Sequence, residues 1–72
     1  MIRVIVADDS AFMRKLLSDL IDSDPDMEVV ATAENGNDLL QKIPKFHPDV
    51  VTLDINMPIM DGISTLKQIN IL

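Results

Sequence analysis

Short β-branched apolar runs alternate with stretches whose apolar residues recur every three or four positions, and the alternation occurs three times in 72 residues. Ile2 to Ala7 (IRVIVA) is nearly continuous and apolar, the pattern of a strand buried on both faces. Met13, Leu16, Leu17, Leu20 and Ile21 then fall at helical spacing, with Arg14, Lys15, Ser18, Asp19 and Asp22 opposite. That is an amphipathic helix, for which Ser10 is a suitable cap and Asp8 or Asp9 chemically acceptable ones. The SDPD cluster at Ser23 to Asp26 stops it. Glu28 to Ala33 (EVVATA) reads as a second strand, Asn35-Gly36 as a turn, and Asn37 as the cap of a second helix carrying Leu39, Leu40 and Ile43. Pro44 should break or kink that helix. His47-Pro48 favours an extended entry into a third strand, Asp49 to Ile55. NMPIMDG is a loop with Pro58 and Gly62 as turn formers, and Ile63, Leu66 and Ile69 begin a third helix.

A β-α-β-α-β-α order implies a doubly wound α/β fold: a parallel sheet with right-handed crossovers. All strands of such a sheet point one way, so their C-terminal ends share an edge, and ligands bind along it where the strand order reverses. Two of the apolar runs end there in acid. The first delivers Asp8 and Asp9, and the third, VVTLDIN, delivers Asp54. If strands 1 and 3 are neighbours, three carboxylates converge in one crevice.

Three carboxylates close together repel one another unless a cation intervenes. Mg²⁺ suits them: it takes oxygen ligands, uses one or two carboxylates, and keeps waters that a phosphate oxygen can replace. A carboxylate beside such an ion can attack phosphorus and form an aspartyl phosphate. The formal charge of −6 argues against binding nucleic acid through a basic surface. The chain has no cysteine for a disulfide or thiolate metal site, and neither a signal peptide nor a membrane-spanning run is legible, so the cytoplasm is expected. Plainer roles compete at several positions. Asp8 or Asp9 taken singly is a helix cap, Asp61-Gly62 is a turn and cap, Met13, Met57 and Met60 are packing residues, and His47 is a solvated loop residue.

The motifs DDS at Asp8 to Ser10 and LDINMPIMDG at Leu53 to Gly62 resemble the receiver domain of bacterial two-component response regulators. The runs ADDSAFMRKLLSDLI, SDPDMEVVATAENG and PDVVTLDINMPIMDG are most similar to the receivers of chemotaxis protein-glutamate methylesterases, and the resemblance covers nearly the whole chain. It implies a flavodoxin-like fold. It also implies a phosphorelay role, in which a histidine kinase donates phosphate to Asp54, the phosphoacceptor, to switch an output methylesterase domain. Asp9 would bind Mg²⁺ directly, Asp8 would help hold it through water, and Asn56 would contribute its backbone carbonyl. The segment itself is then expected to be no enzyme.

The resemblance is incomplete. Receivers have five strands, and this sequence carries three, residues 1–72 being expected to form the N-terminal part of a receiver domain. The family's Ser or Thr at the end of strand 4 and Lys at the end of strand 5 have no counterpart, and no GxSxG elbow of a hydrolase is present. A phosphatase of the haloacid dehalogenase type also uses a strand-end Asp, but needs a second Asp two residues on, where this chain has Asn56. A further alternative is a self-associating half-domain without signalling chemistry. An unprotected edge along VVTLDI leads to the expectation of a homodimer or higher oligomer, with strand 3 paired to its symmetry mate or helix 3 exchanged between chains.

Overall fold

The computed structural model describes residues 1–53. They form β1 (Ile2–Ala7), α1 (Ala11–Asp22), β2 (Met27–Ala33), α2 (Gly36–Phe46) and β3 (Val50–Leu53). All strand pairs are parallel, in the order β2-β1-β3. β1 is therefore central and β3 its neighbour, the pairing on which the predicted convergence of acids depended. The chain steps from β1 out to β2 and back across to β3, and right-handed crossovers then send α1 and α2 to opposite faces. Burial agrees with this. Ile5 and Ala7 pack with Ala33 and Leu39 on the α2 side, flanked by Ile43, Phe46, Val51 and Leu53, while Val4 and Val6 are buried on the alternate face.

Several expectations need correction. The cap of α2 is Asn35, not Asn37: its side-chain oxygen accepts from the Asp38 N–H at 2.8 Å, and Gly36 is already helical instead of forming a turn. Asparagine is a suitable cap at either position, and the helix starts from the first of them. Pro44 does not end the helix, which continues to Phe46. Proline has no N–H to give the carbonyl of Leu40, but it lies in the last turn, where only that one bond is lost. His47 is exposed as expected, yet it is no plain loop residue. It caps α2 in the left-handed region (φ 49°, ψ 60°), and its N–H donates to the Ile43 carbonyl at 3.0 Å.

β2 begins one residue early, at Met27, and is irregular. Val4 pairs with Val29 but Ile5 pairs with Ala31, so Val30 is an extra residue, a bulge that simple alternation in EVVATA does not reveal. Asp49 is not in β3. Its carboxylate accepts from the Arg3 N–H at 2.9 Å, and its own N–H donates to the Arg3 carbonyl at 2.7 Å, which starts the β1–β3 ladder. The Arg3 guanidinium meanwhile donates from Nε and Nη2 to the Phe46 carbonyl, a cation at the helix C-terminus where the dipole favours one. On α1, Met13, Leu17 and Ile21 are half-buried, but Leu16 and Leu20, predicted for the same inward face, are exposed. The expected end of strand 3, the NMPIMDG loop and the third helix lie outside the described residues.

Candidate functional site at the carboxyl edge of the sheet

Towards the C-terminal edge of the sheet, β1 and β3 run side by side in register. Ala7 pairs with Leu53, and each immediately precedes a carboxylate in the sequence, Asp8 and Asp54. The ladder does not stop cleanly at Ala7, because the Asp8 N–H still donates to the Ala33 carbonyl of β2 at 3.0 Å. The chain then turns. Asp8 Oδ1 accepts from the Ser10 N–H at 2.9 Å, an Asx turn of the kind aspartate favours, and the Ser10 hydroxyl oxygen accepts from the Met13 N–H at 3.3 Å to cap α1. The DDS sequence thus encodes a strand end, a tight turn and a helix start in three residues.

The two acids sit in different surroundings. Asp8 is only 7% exposed, a charge kept in a dry place, and burying a carboxylate is costly unless it is bonded. The Ser10 N–H and the positive end of the α1 dipole supply that compensation. Asp9 is exposed, and among the described residues its carboxylate has no hydrogen-bond or ion-pair partner. The bland assignment of either acid as the helix cap is excluded, since Ser10 takes that role.

Of the four predicted site residues the structure places Asp8 and Asp9; Asp54 and Asn56 lie outside the described residues. Among the described residues no three His, Cys, Asp or Glu side chains gather as a metal site, and the predicted constellation needs Asp54 for its third carboxylate. Arg14 was missed. Sequence reading assigned it to the solvated face of α1, but its Nη1 donates to the Asp8 carbonyl at 2.8 Å. The signal available was its position: a cation in the first turn of a helix that has no acid there.

A parallel β2-β1-β3 sheet with an acid pair leaving its central strand defines a doubly wound α/β domain, and comparison with known proteins narrows the class. The family model of the response regulator receiver domain matches residues 4–71, and the chain belongs to that family. It is 57% identical over 68 residues to the protein-glutamate methylesterase/protein-glutamine glutaminase of Halalkalibacterium halodurans, a match covering 94% of this chain but 20% of that protein. The chain therefore spans about a fifth of the length of the curated relatives it matches, and their catalytic methylesterase domain is not covered by these 72 residues. Among solved structures it is similar to the response regulator domain of Thermotoga maritima CheB, with TM-score 0.92, 54% identity, and coverage of 96% of this chain and 52% of that one. The CheX-CheY-BeF3-Mg²⁺ complex of Borrelia burgdorferi is also similar, at TM-score 0.88 and 37% identity, covering 94% and 52%. The chain thus belongs to the receiver family, has the flavodoxin-like fold, and is similar to the receivers of protein-glutamate methylesterases. No helix among the described residues is long and apolar enough to cross a membrane.

Proposed function

We propose that residues 1–72 are the N-terminal part of a receiver domain that accepts a phosphoryl group on Asp54, from a histidine kinase, and relays that event to a methylesterase output domain in a cytoplasmic chemotaxis pathway. One observation carries the reading: β1 and β3 are adjacent, parallel and in register at Ala7 and Leu53, the residues before Asp8 and Asp54. The names of the curated relatives support the output domain, and membership in the receiver family supports the kinase as donor.

The donor set fits Mg²⁺. Asp8 and Asp9 offer hard oxygen ligands, and the exposed Asp9 carboxylate can turn to a cation without breaking a bond to any described residue. Asp8 is tethered through Oδ1, which suits a ligand acting through water. With Asp54 and the Asn56 carbonyl they complete a set for one Mg²⁺, and the Borrelia burgdorferi complex is one that contains this ion. When bound, the ion would offset the negative charge that builds up as a phosphoryl group meets a carboxylate. The chain's own tasks are to present the Asp54 carboxylate as nucleophile, to hold Asp8 rigidly, and to keep Asp9 free to face the ion.

The test is phosphorylation of a protein that carries residues 1–72 within a five-stranded receiver, with a small phosphodonor and Mg²⁺, followed by borohydride trapping and mapping of the label. Label is expected on Asp54 alone, and label that persists in Asp54→Asn overturns the assignment. The 72-residue chain, without the family's Lys, is expected to react slowly or undetectably. A second reading, the self-associating half-domain, is favoured by the position of β3 as the outer strand of the described sheet, with Val50 exposed. Light scattering over a dilution series separates the two, since a folded 8.0 kDa monomer at every concentration removes the self-associating module.

A further inference from the structure

We infer that Arg14 is a positioning residue for the acid pair: by holding the Asp8 carbonyl it sets the direction in which the Asp9 carboxylate leaves the chain. The inference rests on the proposed receiver site and concerns a residue to which that reading gives no part. Asp8 is gripped at three points. Its N–H donates to Ala33 at 3.0 Å, its Oδ1 accepts from Ser10 at 2.9 Å, and its carbonyl accepts from Arg14 Nη1 at 2.8 Å. The Asp8 carbonyl and the Asp9 N–H belong to one planar peptide unit, so the bond from Arg14 fixes the plane from which the next side chain departs. Asp9 needs that help, because it is exposed and no described residue bonds its carboxylate.

The placement of Arg14 is otherwise hard to explain. A cation near a helix N-terminus opposes the dipole, and the first turn of α1 holds no acid to pair with it. An arginine on a solvated helix face ordinarily extends its head into water. Arg14 instead bends back over the strand end and is half-buried. Its planar fork is suited to holding one carbonyl in a set direction in a way that a lysine ammonium is not.

The experiment uses the full 72-residue chain, with Arg14→Met to keep the apolar stem and remove the donors, and Arg14→Lys to restore charge without the fork. Mg²⁺ is titrated while the amide resonances of Asp8, Asp9 and Ser10 are followed, and the Asp9 N–H order parameter is measured without metal. In Arg14→Met the Mg²⁺ affinity is expected to fall about tenfold. The Asp9 order parameter should drop from about 0.85 towards 0.6, with Arg14→Lys intermediate in both. The thermal midpoint should move by no more than about 4 °C. Unchanged Asp9 order overturns the inference, and so does lowered order with unchanged Mg²⁺ affinity. If the unsubstituted chain binds no Mg²⁺, the metal part of the receiver reading fails, and the Asp9 order parameter alone decides the role of Arg14. Should Arg14→Met not fold, Arg14→Gln carries the same readouts.

Discussion

Helix α2 buries Leu39 completely, whereas α1, one residue longer, has no fully buried residue and leaves Phe12 73%, Leu16 41% and Leu20 60% exposed. Both are amphipathic by sequence. The difference lies in what each helix meets. α2 lies over the face carrying Ile5, Ala7 and Ala33, with Val51 and Leu53 beside them, and Leu39, Ile43 and Phe46 fill that surface. It is also tied at both ends: Asn35 caps the start, Arg3 binds the Phe46 carbonyl, and Lys42 Nζ donates to the Thr32 carbonyl of β2 at 2.5 Å. α1 carries two apolar lines. Met13, Leu17 and Ile21 line the half-buried side, while Phe12, Leu16 and Leu20, at the same four-residue spacing, form a second line that the described strands do not cover. An amphipathic pattern shows that a helix has an apolar side; how much of that side is buried depends on the surface opposite it.

The largest expected effect follows directly. Leu39→Ala should cost about 3 kcal/mol in urea denaturation, the usual result of emptying a closed core site. Leu20→Ala should cost no more than about 0.5 kcal/mol. Comparable losses at the two positions would break the contrast between the helices.

The caps sharpen it. Asn35→Ala should lower stability by about 1 kcal/mol, and Ser10→Ala by less, because the Asn35 bond measures 2.8 Å and the Ser10 bond 3.3 Å. A larger loss at Ser10 would show that α1 is held chiefly by its first turn, beside the acid pair.

Each helix also has one pair of opposite charges four residues apart. Lys42–Asp38, at 3.1 Å, is partly buried, has its acid towards the N-terminus and shares the lysine with Thr32. Lys15–Asp19, at 3.0 Å, is exposed and runs in the weaker direction. Lys42→Met should therefore cost about 0.7 kcal/mol, and Lys15→Met no more than about 0.3 kcal/mol. Equal values in thermal melts would mean that burial contributes nothing to the difference.

The smallest effect has the opposite sign. His47 holds a left-handed conformation that costs a non-glycine residue energy, so His47→Gly should stabilise the chain by about 0.5 kcal/mol. The residue capping the C-terminus of α1, Ser23, is right-handed at φ −71°, and Ser23→Gly should instead destabilise by a few tenths of a kcal/mol. Calorimetry on both variants reads the two signs.

Local sequence was enough for the order of the five described strands and helices, the bounds of β1 at Ile2 and Ala7, the stop at Ser23 to Asp26, and the acid pair that follows β1. These depend on residues within about four positions of one another, where propensity, capping and period act directly. Only the tertiary structure decided that β1 lies between β2 and β3, that Val30 bulges, and which line of α1 is covered. It also decided that Asn35, not Asn37, starts α2, that Pro44 is tolerated, and that Arg14 turns back to Asp8. Each of these is set by partners distant in the chain or by competition between nearly equal local choices. There the deciding free energy comes from burial and from bonds across elements, which no short window of sequence contains.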